Sequence, residues 1–495
     1  MKKISKKYII TYLITFLLTC IVFLPLLTGH YASDSYNIYN LGYHDYAIRY
    51  SLNDGRIFMS ILGLIADKIN ISINLFIFIT LFCALLISNI AVIKLSKIIK
   101  KYKQPTNIFQ EIIVMIISYI TIFNFMYLEN MYFVECIVMA ASILLFLTSA
   151  DILVEKNSKY LIKSLTLASL GVMFYQGTVG MFFTLVCLFT ILKNKNNIKQ
   201  MIIDLLKSGI IAAIAILIDL LTIKICGNIL GMYQDRYGSI SNIFNNINFL
   251  FYVLPDIMQT ACHLFPKNAL YIFLGILTII VAIYQTRNIT KEDNTIIYYL
   301  AILFVAIASS LVINFTTLSS YDTGRLKDSL GAMIGIVFCL LYVKTNLLDN
   351  KTKLSKITIL TLLVFSIINI VNYENLMLVH KEVNKLEKKE VQELDEYISQ
   401  YEENTGIKID KVMKVPVRGD SNKAYFKSIK NKSTYARNAL RLYWSADGII
   451  NFYTQRNLEN IRITNEQYED YLQNEDKQRG YMCIGDTLYI NVYIT

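Results

Sequence analysis

Long apolar runs recur through the first three quarters of this 495-residue chain, 15 to 24 residues at a time and nearly free of charge. A bilayer core takes roughly 20 apolar residues per helix. Backbone groups in lipid must pair within their own segment, so each run is expected to form one helix. Short alternating strands of the kind that build a β-barrel are not visible. Charged residues make up 17% of the chain, against about 25% in a soluble domain, and the deficit lies in these runs.

The spans predicted on this basis are roughly 8–28, 72–94, 110–125, 133–150, 160–175, 177–193, 206–226, 268–286, 295–314, 328–345 and 355–372. The run after MKKISKK is long for a signal-peptide core, and His30 and Tyr31 stand where a small-residue cleavage site would be, so it reads as a retained helix. The stretch 249–265 is apolar but interrupted by Pro255 and Asp256, and reads as re-entrant or interfacial.

Charge sets the expected orientation. Lys2, Lys3, Lys6 and Lys7 place the N-terminus in the cytoplasm. Alternate connections are basic: KLSKIIKKYK (94–103), EKNSK (155–159), KNKNNIK (193–199), TRNITKED (286–293) and KTNLLDNKTKLSK (344–356). All five fall on the cytoplasmic side of one threading. The other connections are rich in Tyr, Asn, Asp and isolated Arg, and an odd helix count leaves the tail outside.

From Asn372 onward the composition changes, with 18 Lys and Arg against 19 Asp and Glu. The net charge of +11 therefore belongs to the apolar part and reads as topology signal, with no nucleic-acid partner expected. Residues 379–404 have helical spacing, 407–417 and 486–494 alternate like strands, and two further helices are expected around 433–444 and 464–473. The expected architecture is an all-α polytopic membrane domain of about eleven transmembrane helices (1–372) and a small extracytoplasmic α/β domain (373–495). Eight Cys form no disulfide framework, and the four His are too scattered for a zinc site.

The first outward connection, Gly29 to Ile71, carries the most chemistry. Asp34 follows the first span by about six residues, where a carboxylate at headgroup depth suits a general base; a solvated loop acid is the plainer reading. Asn53-Asp54-Gly55-Arg56 predicts a tight turn. Arg56 then either snorkels at the interface or binds a lipid-linked phosphate. Glu129 and Glu135 flank LENMYFVE, with Glu135 expected just inside the fourth span. An acid there costs about 2.5–3.5 kcal/mol unless it faces protein or water. A polar cavity and a protonated acid paired with a hydroxyl both satisfy that. Tyr175 and Gln176 sit at a junction too short for a loop, and both suit sugar contacts; an interfacial aromatic belt fits Tyr175 better than Gln176. Two later connections pair an acid with an Arg, Asp235-Arg236 and Asp322-Thr323-Gly324-Arg325. Asp204, Asp219 and Lys224 are further polar residues in or beside spans. Asp219 reads as a pairing residue or part of an ion path.

SDSY (33–36), NDGRIF (53–58), LENMYFVE (128–135) and YQG (175–177) together resemble the GT-C class of membrane glycosyltransferases, and more closely the serotype-converting O-antigen glucosyltransferase family. The likeness covers the N-terminal 180 residues; the middle agrees in hydropathy and helix count, and the tail is not part of the match. The resemblance implies transfer of a hexose such as glucose from a polyprenyl-phosphate donor to a cell-surface glycan at the outer face of a bacterial inner membrane. It implies Asp34 as base, with inversion at the anomeric carbon. Arg56, Arg325 and Arg236 would face the departing phosphate, and Glu129, Glu135 and Gln176 the sugar hydroxyls. Asp54, Tyr175, Asp235 and Asp322 complete the expected binding set. No cofactor is implied, and a divalent metal is not favoured. A small flippase for the lipid-linked sugar is a further expected partner. The rival readings are a lipid-linked glycan transporter, against which the lack of internal symmetry and of Gly/Pro-broken helix pairs counts, and a glycan polymerase or ligase. Tyr435, Tyr443 and Trp444 would let the tail stack on a glycan, though packing of a small core explains them equally well.

Overall fold

The computed structural model describes residues 6–155, 158–193, 197–230, 269–290, 295–313, 324–346, 348–349, 351–417, 438–474 and 479–493. Every predicted span holds a helix. These are α1 (Lys6–Val22), α4 (Ile73–Tyr102), α5 (Ile108–Ile122), α6 (Cys136–Glu155), α7 (Ser158–Phe174), α8 (Val179–Lys193), α9 (Ile198–Leu230), α10 (Ala269–Thr290), α11 (Thr295–Ser310), α12 (Met333–Lys344) and α13 (Lys353–Thr405). Among the described residues, five helices are long and apolar enough to cross a membrane: Ile73–Tyr102, Cys136–Glu155, Gln176–Lys193, Ile198–Leu230 and Lys353–Thr405, and six other apolar helices are shorter, at 10–17 residues. The stretch 249–265 lies outside the described residues.

Burial follows the apolar pattern. α8 and α12 are enclosed, with Phe182, Leu185, Phe189, Phe338 and Leu341 in one core with α4, α5 and α6. α9 shows the opposite pattern on one flank: Ile202, Leu206, Ile210, Leu217, Leu221 and Ile225 are all exposed, the stripe a lipid-facing helix presents. Where helices meet, hydroxyls bridge them: Ser149 Oγ lies 2.8 Å from Ser164 Oγ across α6 and α7. Small polar contacts of this kind let helix backbones approach closely in lipid.

The connection from Gly29 to Ile71 is mostly helical. It contains α2 (Ser33–Leu41), a short helix Tyr43–Tyr46, a π-helical turn Ala47–Leu52, and α3 (Ile57–Lys68). Between the last two is the predicted turn, with Gly55 at φ +76°.

The tail departs from expectation at its start. The boundary at 372/373 falls inside α13, a single helix of 53 residues. Thr352 caps its first turn, accepting from the Ser355 amide at 3.0 Å, and Gly406 ends it in the left-handed region at φ +69°. No Gly or Pro interrupts the 53 residues. The predicted strands appear as β1 (Lys411–Val417) and β4 (Thr487–Tyr493), joined by β2 (Glu459–Ile461) and β3 (Tyr481–Ile484) in the order β2-β1-β4-β3. β1 runs parallel to both of its neighbours, and β3 and β4 form a hairpin. Val412, Leu488 and Ile490 face α13, while Met413, Val415 and Tyr489 pack on Tyr471.

Of the helix expected around 433–444, only 438–444 lie among the described residues, and these are not α-helical; α14 (Ala446–Thr454) follows them. Residues 433–437 are outside the described set, and 439–441 form only one 3-10 turn. Asn438 Oδ1 takes the Leu440 amide at 3.0 Å and Ser445 Oγ bonds the Ala439 carbonyl at 2.7 Å, local bonds that compete with a helix. The helix expected at 464–473 is α15 (Asn465–Asn474).

Candidate functional site

At one end of the bundle the basic connection 94–103 is bonded to nearby acids. Lys101 pairs with Asp151 at 2.9 Å and with Glu155, Lys100 with Glu111 at 3.1 Å, and Lys103 with Asp349 at 3.6 Å. At the opposite end, α2, the 53–56 turn, the 128–135 segment, the 175–178 turn and the 324–328 segment converge. They bring together Asp34, Asp54, Arg56, Glu129, Glu135, Tyr175, Gln176 and Arg325. Asp235, Arg236 and Asp322 lie outside the described residues.

Arg56 is the centre of the cluster. Its guanidinium is buried and paired with Glu135, and a second nitrogen stands 3.4 Å from Asp54 Oδ2. The Tyr175 ring lies beneath it, 5.4 Å from Cζ to the ring centre. An arginine held this way is not snorkelling to solvent. Tyr175 is itself buried, so the interfacial-belt expectation does not hold for it.

Glu135 lies on the turn just ahead of α6, short of the helix itself. One oxygen takes Arg56 and the other accepts from Tyr46 Oη at 3.0 Å. Both carboxylate oxygens are engaged within the protein, and one of them holds Arg56. Sequence reasoning missed Tyr46; one tyrosine among several in a Tyr-rich connection carries no signal of its own.

Glu129 Oε2 receives the backbone amide of Arg325 at 2.8 Å, which fixes the 324–328 segment against 128–135. The Arg325 guanidinium lies over the Phe133 ring, 4.1 Å from its centre. Asn130 donates to Asp328 Oδ2 at 3.0 Å in the same interface.

Gln176 begins the 3-10 turn before α8. Its amide donates to the Asp54 carbonyl and to Asp219 Oδ2, both at 3.0 Å. Asp219 therefore belongs to this cluster. It lies 21 residues along α9 from Ile198, about 32 Å at 1.5 Å per residue, a full hydrocarbon thickness from the basic end. A side chain at Gly55 would overlap Gln176 Nε2 and come within 2.9 Å of Asp219 Oδ2. The glycine serves both the positive φ and the close approach. Ser142 of α6 braces the same turn, its Oγ 2.9 Å from the Tyr175 carbonyl and 2.7 Å from Thr178 Oγ1.

Asp34 sits in the first turn of α2, partly open to solvent, with the Ser33 hydroxyl 3.5 Å away. Burial and then the negative charge of Glu135 push its carboxyl up from the usual range, while Arg325 and Arg56 pull it down. The net direction is upward. Among the described residues no group of three or more His, Cys, Asp and Glu side chains is placed to hold a metal ion.

The cluster thus presents Asp34, partly open and with a raised pKa, beside Arg56, which is paired with acids and set over Tyr175, and Arg325, which lies over Phe133. Such a site can take a proton from a hydroxyl and stabilise negative charge nearby. No protein-family model matches this chain, nor does any curated protein.

Proposed function

We propose that this protein is a membrane glycosyltransferase of GT-C type, moving a sugar from a polyprenyl-phosphate donor to a hydroxyl of a surface glycan at the outer face of the bacterial cytoplasmic membrane. About eleven spans, the N-terminus inside and the C-terminal domain outside belong to the same reading. One observation carries it: Asp34, Arg56, Glu135 and Arg325 meet at the end of the apolar bundle opposite the basic connection 94–103. A donor confined to lipid presents its sugar at one surface only, so base and phosphate-facing cations must share that surface.

In this reading Asp34 accepts the proton of the acceptor hydroxyl as its oxygen bonds to the anomeric carbon. The bond from that carbon to the phosphate oxygen breaks with inversion, and polyprenyl phosphate leaves with the electron pair. Arg56 and Arg325 stabilise the charge that develops on it. Glu135 and Asp54 hold Arg56 in place, and Gln176 and Asp219 hold the 53–56 turn that carries it.

The test is transfer of a labelled hexose from polyprenyl phosphate in membranes, comparing wild type with Asp34→Asn. A base of this kind contributes roughly 10²–10⁴ in rate, so the variant should fall by that factor at unchanged membrane insertion. Near-normal transfer by the variant removes Asp34 from the role. No transfer by wild type, across several sugars and envelope acceptors, sinks the transferase reading in favour of a transporter or polymerase.

A further inference from the structure

The C-terminal domain packs directly on the helix that carries Asp34. Tyr36, two residues on, is fully buried in one core with Val391, Leu394 and Ile398 of α13 and with Ile449 and Ile450 of α14. Its ring meets Phe452 at 5.6 Å and Tyr453 at 6.0 Å, and its hydroxyl stands 3.2 Å from that of Tyr453. One turn along α2, Asn40 is held twice: its amide donates to Asp447 Oδ2 at 3.0 Å, and its oxygen accepts from Asn451 Nδ2 at 2.8 Å. Asp447 is fixed in turn by Lys414 of β1, Nζ to Oδ1 at 3.1 Å, with both side chains buried. Just before α2, the Tyr31 backbone exchanges two 2.9 Å bonds with the Asn384 side chain on α13.

Gly448 marks the closest approach. A Cβ there would overlap the Tyr36 carbonyl and lie 3.3 Å from Asn40 Cβ. The α14 backbone rests against α2 with no room for a methyl group. α2 is therefore gripped on one side by the C-terminal domain while Asp34 addresses the Arg56–Glu135 pair on the other.

We infer that the C-terminal domain is part of the working geometry of the site: its grip on Tyr36 and Asn40 sets where the Asp34 carboxylate stands, and Gly448 is the positioning residue on which that grip closes. The inference rests on the assignment of Asp34 as the base. It gives the tail a duty separate from glycan recognition. A displacement near 1 Å at a reacting group costs about 10²-fold in rate, and a methyl group forced between α14 and α2 produces a displacement of that order.

The experiment is a mutant cycle in the full-length protein in membranes, with polyprenyl-phosphate hexose as donor. Gly448→Ala should lower kcat by about 10²-fold with the donor KM little changed, and should shift the acidic limb of the kcat–pH profile. In the Asp34→Asn background it should have no further effect, because the group it misplaces is already gone. Equal loss in both backgrounds, or full kcat in Gly448→Ala, overturns the inference. Asn40→Ala, which leaves the packing at Gly448 intact, is the gentler second variant. It should show the same non-additivity at a smaller loss, and it decides the matter if Gly448→Ala fails to fold. Amide exchange over 33–41 reads the grip without any turnover. Faster exchange in either variant is expected, and unchanged exchange overturns the inference. If wild type itself transfers nothing, the assignment of Asp34 falls and takes this inference with it, whereas additive losses in an active enzyme sink the inference alone.

Discussion

Gln176 Nε2 stands 3.0 Å from Asp219 Oδ2, joining the start of α8 to a carboxylate deep in α9. The same amide holds the Asp54 carbonyl at 3.0 Å. Removing a buried donor costs about 1–3 kcal/mol when the acceptor stays behind, and much less when both partners become apolar. Gln176→Leu should therefore lower stability by about 1–3 kcal/mol, and Gln176→Leu with Asp219→Leu should recover part of that loss. Thermal unfolding in detergent compares the two, and a double variant worse than the single one contradicts the pairing.

Gly55 answers two demands at once. A left-handed conformation costs an ordinary residue about 1–2 kcal/mol, and a methyl group here also overlaps Gln176. Gly55→Ala should be destabilised by more than the backbone term alone. Gly55→Asn separates the causes, since Asn tolerates the positive φ but still needs the space. Melting temperatures of both should fall, and a wild-type value for Gly55→Asn would leave only the backbone term.

The Arg56–Glu135 pair is buried. Breaking such a pair by removing one partner costs about 3–5 kcal/mol because the other charge is stranded. Glu135→Ala should approach that figure, while Glu135→Gln, which keeps an acceptor facing Arg56, should cost less. Unfolding curves that rank the two variants the other way would contradict the role given to Glu135.

The pH dependence of transfer follows from Asp34. A base works ionised, so the rate is full above the folded-state pKa and lost as pH falls through it. Because burial and Glu135 raise that pKa, the acidic limb should lie above the range of an ordinary carboxylate. Glu135→Gln should move the limb to lower pH, and Arg56→Gln should move it higher. The stability term has the opposite sense. A raised folded pKa favours the folded state most below the unfolded pKa, and that advantage is lost as pH rises. A kcat–pH profile with no limb above the ordinary carboxylate range refutes this assignment.

Much of the architecture was legible because bilayer length and helix geometry leave few choices. All eleven apolar segments contain helices, and the short quoted motifs do meet at one end. Three features were hidden. Asp219 read as a pairing residue or part of an ion path, but its partner Gln176 was not legible, because that depends on depth along α9 and on which residue stands opposite. Tyr46 was one tyrosine among several. The continuity of α13 was obscured by reading the hydropathy change near Tyr373 as a boundary. The run without Gly or Pro from Lys353 to Thr405 could have corrected that, since a change of solvent does not end a helix.

α13 spans about 80 Å at 1.5 Å per residue. Two of its anchors are Tyr373, bonding the Asn124 carbonyl in the bundle, and Asn384, clasping Tyr31 beside the Asp34 helix. A single inserted residue between these anchors would swing everything beyond it by about 100° and lift it about 1.5 Å. Seven would bring it back to within about 20° but raise it by about two turns. Loop-tethered domains tolerate length variation, but this stretch should not: between Tyr373 and Asn384 the number of residues is itself fixed, and natural or engineered insertions should be confined to other parts of the tail.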